Sequence, residues 1–412
     1  MRWAVLSLFV ALAASFAAMP GIASSYTLGI FGNANMDDSI NELDIAYVEG
    51  IINGTYDPTR LADANYDGKV NAKDIEHIQH IIKGDESTLT IIDTANRTVT
   101  LKMPIDRIVA LTDDSAEALR VLHSIDKVVG VSIETLENSA YLPEFSQLPN
   151  VGKWSEPDIE KILLMEPDLV ISYKSATSKY LEPMLNDTGI SIVALDLYRA
   201  NDLPAEMKML GYIVNKTTEA DSYLGWFNRV TDVVSEKISE IPENKRTRVY
   251  LEGASDLKTY TKGRGADLVC TMAGGVNIAS ELTGLYPEVE SEWVIAQNPE
   301  VIVRLTQPSE IPCGYATDDP SGFETKRREL LTRTGWSNIT AVKEGRVYLL
   351  LYEFGASPGV PVAIAYLAKW FYPELFEDLN PQAVHQEYLE LQGFDYDLKN
   401  HGVFVYPSME GN

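Results

Sequence analysis

The sequence predicts two α/β lobes preceded by a small all-helical module. Three observations carry that prediction. A helix–proline–acid–strand phrase occurs twice, in Val151–Tyr173 (VGKWSEPDIEKILLMEPDLVISY) and in Val289–Leu305 (VESEWVIAQNPEVIVRL). A long helical stretch, Asp202–Lys237, lies between the two copies and is interrupted around Asn215. Near the N-terminus two loops of one pattern, Asn33–Asp44 and Asp63–Asp74, are each followed by an amphipathic helix.

Bulk properties set the frame. The chain has 412 residues, 45% of them hydrophobic, enough for several cores. A formal charge of −26 excludes nucleic acid and anionic membrane surfaces as partners. Arg2, the apolar run Ala4–Ala18 and the small residues of Gly21-Ile22-Ala23 predict a cleaved secretion signal over residues 1–23. The run falls short of the roughly 20 apolar residues of a membrane span. Only Cys270 and Cys313 follow, and they could pair in an oxidising compartment. Sequons at Asn53, Asn96, Asn186, Asn215 and Asn338 permit surface glycosylation.

The N-terminal loops, NANMDDSINELD and DANYDGKVNAKD, place oxygen-bearing side chains at loop positions 1, 3, 5, 9 and 12. That spacing is EF-hand-like and suits Ca²⁺, a hard cation that takes several oxygen ligands. The expected ligands are Asn33, Asn35, Asp37, Asn41 and Asp44, then Asp63, Asn65, Asp67, Asn71 and Asp74. Gly68 supplies the mid-loop turn in the second copy, and Asp38 stands in that place in the first. Asn33 removes one charge from the first site and weakens it.

The lobes follow in order. Leu89–Leu101 alternates about Ala95-Asn96-Arg97 and reads as a hairpin. Arg107–Leu111 is a buried strand, and a helix begins near Ala116. Asp113, Asp114 and Ser115, in the loop between, either face a cleft or cap the helix. Val128–Val131 is the next strand. In the first phrase Ser155 caps a helix over Pro157–Met165, Pro167 stops it, and Leu169–Ser172 is a strand buried on both faces. Ile190–Leu195 follows. The second lobe starts with strand Thr247–Glu252 and a loop, Lys258–Gly265, carrying Tyr260, Lys262 and Arg264. The second phrase ends in strand Val301–Val303. Strand Arg346–Leu351 and the helices Val362–Phe371 and Gln386–Leu391 complete the chain.

Ligands of open α/β sheets bind at the carboxyl ends of strands. That expectation selects Trp154, Tyr173, Tyr260, Lys262, Arg264, Tyr286, Arg304 and Tyr352 as an aromatic and basic pocket between the lobes. Aromatic walls suit flat or apolar chelates, and basic groups suit anionic ones. Catalysis has little support: the histidines are scattered and no nucleophile elbow occurs.

Taken together, RIVAL (Arg107–Leu111), Glu117, DKVVGVS (Asp126–Ser132), VGKW, PDIEKILLMEPDLVI and GRVYLL (Gly345–Leu350) resemble the ABC-importer substrate-binding proteins for ferric siderophores, haem and cobalamin. The resemblance runs from about Leu89 to the C-terminus. It implies the class III periplasmic-binding-protein fold, with Rossmann-like lobes at residues 86–205 and 242–412 joined by a long helix over 206–241. It also implies that Glu160 and Glu292, one on each matched helix, dock on arginines of an ABC permease. VGKWSEPDIE is similar to cobalamin-binding members, which favours a corrinoid, while the basic residues keep a ferric chelate or an oxyanion open. The paired calcium loops, each closing on Asp, resemble a dockerin domain over residues 26–85. That likeness implies a cohesin-bearing surface protein as partner and an extracytoplasmic, surface-tethered protein. The alternative is a structural or adhesive part of a surface complex, without transport.

Overall fold

Two parallel sheets of one topology organise the chain in a computed structural model that describes residues 26–408. The expected secretion signal lies outside the described residues. The first sheet takes Ile108–Ala110, Val128–Val131, Leu169–Ser172 and Ser191–Ala194, side by side in the order second, first, third, fourth. The second takes Arg248–Glu252, Val276–Asn277, Val301–Thr306 and Val347–Leu351 in the same order, and Val405–Tyr406 closes its edge antiparallel. Leu169–Ser172 and Val301–Thr306 are buried at every residue, as central parallel strands must be when helices cover both faces. In this order the chain reverses direction beside the first strand, and the crevice at a sheet's carboxyl edge opens there.

Local details differ from the sequence expectation at the first phrase. The helix spans Ile159–Leu164, and its N-cap is Asp158, whose carboxylate accepts from the Lys161 N–H. Ser155 and Pro157 stand outside it. Gly152–Lys153 pairs antiparallel with Glu156–Pro157, which makes Trp154-Ser155 the tip of a tight hairpin. Gly152 is required there: its φ is +92°, and a Cβ would lie 2.8 Å from the Glu156 carbonyl oxygen. The helix after Ile108–Ala110 also starts early, spanning Asp113–Val121. Thr112 caps it in a reciprocal box with Ser115.

Between the sheets runs Thr217–Ser239, a helix of 23 residues and about 35 Å. Its buried stripe, Tyr223, Trp226, Phe227, Val230 and Val234, recurs at helical spacing. It packs against Asp113–Val121 on one side and against Gly265–Met272, Val360–Phe371 and Pro381–Leu391 on the other. Asn215, at φ +56°, separates it from the preceding helix Leu203–Ile213.

The N-terminal module is joined to the first lobe. The Phe31 N–H donates to the Thr90 carbonyl at 2.9 Å, and the Ile92 N–H to the Gly29 carbonyl at 2.7 Å, which forms an isolated antiparallel bridge, Ile30 opposite Ile91, at the edge of the hairpin Thr88–Lys102. Its helices are Glu42–Ile52 and Ala72–Lys83. Val48, Ile78 and Ile81 are buried, whereas Ile52 and Ile82 are exposed. Cys270 and Cys313 are both buried and unpaired. No helix among the described residues is long and apolar enough to cross a membrane.

Candidate functional site

The carboxyl-end loops of both sheets meet around a cavity of about 410 Å³. The first lobe supplies Asp113, Asp114 and Glu117 from one helix, Trp154 from the hairpin tip, and Tyr173 and Tyr198 from the ends of two strands. The second lobe supplies Tyr286, Gln307, Tyr352, Glu353 and Tyr388. Trp154 stands edge-on to Tyr173 at 5.2 Å, and Tyr173 edge-on to Tyr198 at 5.4 Å. The geometry is that of an aromatic wall, with rings held by perpendicular contacts.

Carboxyl groups floor the cavity. The Tyr173 hydroxyl donates to Asp114. Glu117 accepts from the Tyr141 hydroxyl at 2.7 Å and from that of Tyr388, so one carboxylate of the first lobe is bonded to a helix of the second. Tyr141 stacks on Tyr315 at 4.4 Å behind it. Burial pushes Asp114 well above the usual carboxylate range, with the charge of Asp113 adding to the shift. Burial also raises Asp113 and Glu117, and it lifts Glu353 to about 7, with Asp113 and Glu117 reinforcing the shift.

Of the eight residues expected in the pocket, the structure brings Trp154, Tyr173, Tyr286 and Tyr352 together. The other four do not line the cavity. Tyr260 lies one layer back, buried, its ring perpendicular to Tyr286 at 5.6 Å. Lys262 is exposed and faces Glu281 at 3.7 Å. Arg264 occupies the N-cap position of the helix Gly265–Met272. Arg304 is fully buried and donates to Glu252 at 2.8 Å, to Asp256 at 3.0 Å, and to Glu310. The expected basic half of the pocket is therefore absent from the cavity lining. Sequence reasoning missed Tyr198, Gln307, Glu353 and Tyr388. Glu353 had a signal, since it sits between Tyr352 and Phe354 at the end of a predicted strand. Tyr388 had none.

The calcium loops fit the cation. Asp44 and Asp74 are wholly buried carboxylates, each accepting two main-chain N–H groups of its own loop. Burial raises both above the usual carboxylate range, so a nearby cation relieves a real cost. Asp37, Asp63 and Asp67 with the oxygens of Asn33, Asn35 and Asn65 complete two oxygen-rich loops. Asn41 and Asn71 are committed as helix N-caps, their oxygens accepting from Leu43 and Lys73. No cluster of three or more His, Cys, Asp or Glu among the described residues is arranged to hold a metal. The turn chemistry also differs from expectation. Met36 and Tyr66, at the fourth position of each loop, adopt φ +61° and +56°, and Gly68 adopts +87°, while Asp38 does not take positive φ.

Two like-built lobes, a long helix between them and a cavity at their facing strand ends define a class: a two-lobed binding protein that encloses its ligand. The chain belongs to the periplasmic binding protein family, whose model matches residues 108–351. A type I dockerin domain matches residues 32–83. An uncharacterised ABC transporter substrate-binding lipoprotein of Bacillus subtilis, YvrC, is 27% identical over 70% of this chain and 87% of its own. The molybdate-binding protein MolA of Haemophilus influenzae is 24% identical over 73% of this chain and 87% of its own. A vitamin B12-binding protein of Pectobacterium atrosepticum is 24% identical over 48% and 70%. Among solved structures, the TroA-like periplasmic binding protein FepB of Veillonella parvula superposes with a TM-score of 0.66 at 21% identity, covering 77% of this chain and 98% of that one. The chain is thus a substrate-binding protein of the ABC-importer type, a transport component and not an enzyme.

Proposed function

We propose that this protein captures a metal chelate outside the cytoplasm, delivers it to an ABC permease, and is tethered to a cohesin-bearing surface protein through its calcium-loaded dockerin module. A corrinoid fits best, and a ferric siderophore is the second choice. The observation that carries the reading is the interlobe cavity walled by Trp154, Tyr173, Tyr286 and Tyr352. Flat, bulky ligands bury most of their surface against such walls. The names of the vitamin B12-binding relatives support the choice of ligand class. Glu160 and Glu292, both exposed at the starts of matched helices, would meet the permease. Asp37, Asp44, Asp63, Asp67 and Asp74 would hold calcium with the neighbouring asparagine oxygens.

Calorimetric titration of the full chain with cobalamin, cobinamide, ferric siderophores, haem and molybdate tests this. The expected result is micromolar or tighter binding of one chelate class, weakened at least about tenfold by Trp154→Ala. Absence of binding across the panel would overturn the receptor reading.

A further inference from the structure

The cavity is one-sided in charge. Its lining holds four carboxyl groups, Asp113, Asp114, Glu117 and Glu353, and no lysine, arginine or histidine among the described residues. Of the cations beside lining residues, Arg199 pairs with Asp202 at 3.5 Å, and Lys153 is exposed on the hairpin. Arg120 donates to the Tyr141 carbonyl, approaches Glu144 at 3.3 Å and stacks on the Tyr141 and Phe394 rings. Lys174 pairs with Asp196 at 3.6 Å. Lys262 faces Glu281 in solvent. An anion entering this cavity would touch no cationic side chain and would add to the crowding of buried carboxyls. A cation would meet both carboxyl oxygens and the faces of Trp154 and the tyrosines, which attract positive charge. Carboxylates are also acceptors only, so they favour a ligand that brings N–H groups.

We infer that the ligand of this cleft carries net positive charge and presents N–H donors, and that oxyanions and anionic chelates are excluded. The inference rests on the receptor reading above and deepens it. It separates two relatives that are each 24% identical over the matched residues, one named for molybdate and one for vitamin B12, on the charge of this chain's own residues. Burial raises all four carboxyls above the usual carboxylate range, so a bound cation would offset a cost that the cleft bears.

The test uses pairs of corrinoid and ferric-chelate probes that differ in charge. Diaquocobinamide is a cation and dicyanocobinamide is neutral. Ferrioxamine B is a cation and a ferric tris-catecholate is an anion. Molybdate is the oxyanion. Each is titrated calorimetrically into the full chain and into Glu353→Gln and Asp113→Asn, with thermal melting of each variant as a check on folding. The expected result is that the cationic member of at least one pair binds at least about tenfold more tightly, and that either amide substitution narrows the gap. Tighter binding of the tris-catecholate or of molybdate would overturn the charge inference and leave the receptor reading standing. Equal binding within both pairs would also overturn it. Absence of binding by every probe would overturn both.

Discussion

Arg304 shows why a basic residue at a strand's carboxyl end need not face a ligand. It is in register with Glu252 on the neighbouring parallel strand, and both side chains are fully buried. Glu252 also accepts from Arg333 at 2.7 Å and 3.1 Å, so the two arginines join Glu252, Asp256 and Glu310 in one ion-pair network. A buried charge is tolerable only when paired and hydrogen-bonded, and removing one partner strands the others. Arg304→Met is therefore expected to lower unfolding free energy by about 3–5 kcal/mol, measured by urea denaturation. Ligand affinity of the folded fraction should change little. A variant of unchanged stability that no longer binds would place Arg304 in the cleft instead. Nothing in the sequence separates Arg304 from a ligand contact, because its fully buried counter-charge, Glu252, lies 52 residues away on another strand.

At the scale of elements, what periodicity and punctuation could specify was legible. The hairpin, the buried strands, the break at Asn215 and the two loop–helix repeats all follow from residue patterns. The hairpin tip at Trp154 was not, since Ser155 and Pro157 carry ordinary helix-start signals and only the positive φ of Gly152 redirects them. Nor was the joint between the calcium module and the first lobe. There the buried Ile40 N–H, within the first calcium loop, donates to the Tyr212 hydroxyl at 3.0 Å, and Tyr212 belongs to the helix Leu203–Ile213. Leu28, Ile30 and Ile40 of the module share one core with the lobe's Met209 and Leu210. Calcium bound in the first loop should therefore stabilise the lobe as well as the module. In scanning calorimetry, calcium is expected to raise the melting of the whole chain over the chelator-treated sample. Tyr212→Phe, which leaves a buried N–H unpaired at about 1–3 kcal/mol, should shrink that rise. An equal calcium shift in both proteins would show that the module and the lobe unfold independently.

At the scale of the whole molecule, duplication made the architecture readable and long-range assembly hid the site. Each lobe repeats strand order second, first, third, fourth, so one phrase recognised twice fixes most of the fold. The cleft instead joins residues as far apart as Glu117 and Tyr388, whose hydrogen bond spans 271 positions. The same duplication places Glu160 and Glu292 at corresponding starts of two helices, Ile159–Leu164 and Ser291–Gln297, with both side chains in solvent. Two like charges on two like lobes suit a partner that presents two cations with matching symmetry. Exposed pairs of that kind set orientation and encounter rate, and salt screens them. Glu160→Lys or Glu292→Lys alone is expected to weaken permease association several-fold in low salt, and the double reversal to weaken it further, while calorimetric ligand binding stays unchanged. Surface plasmon resonance against the permease in detergent or nanodiscs reads the first effect. If the double variant associates as tightly as the parent at low ionic strength, docking uses another face of the lobes, and the two acids serve only the N-termini of their helices.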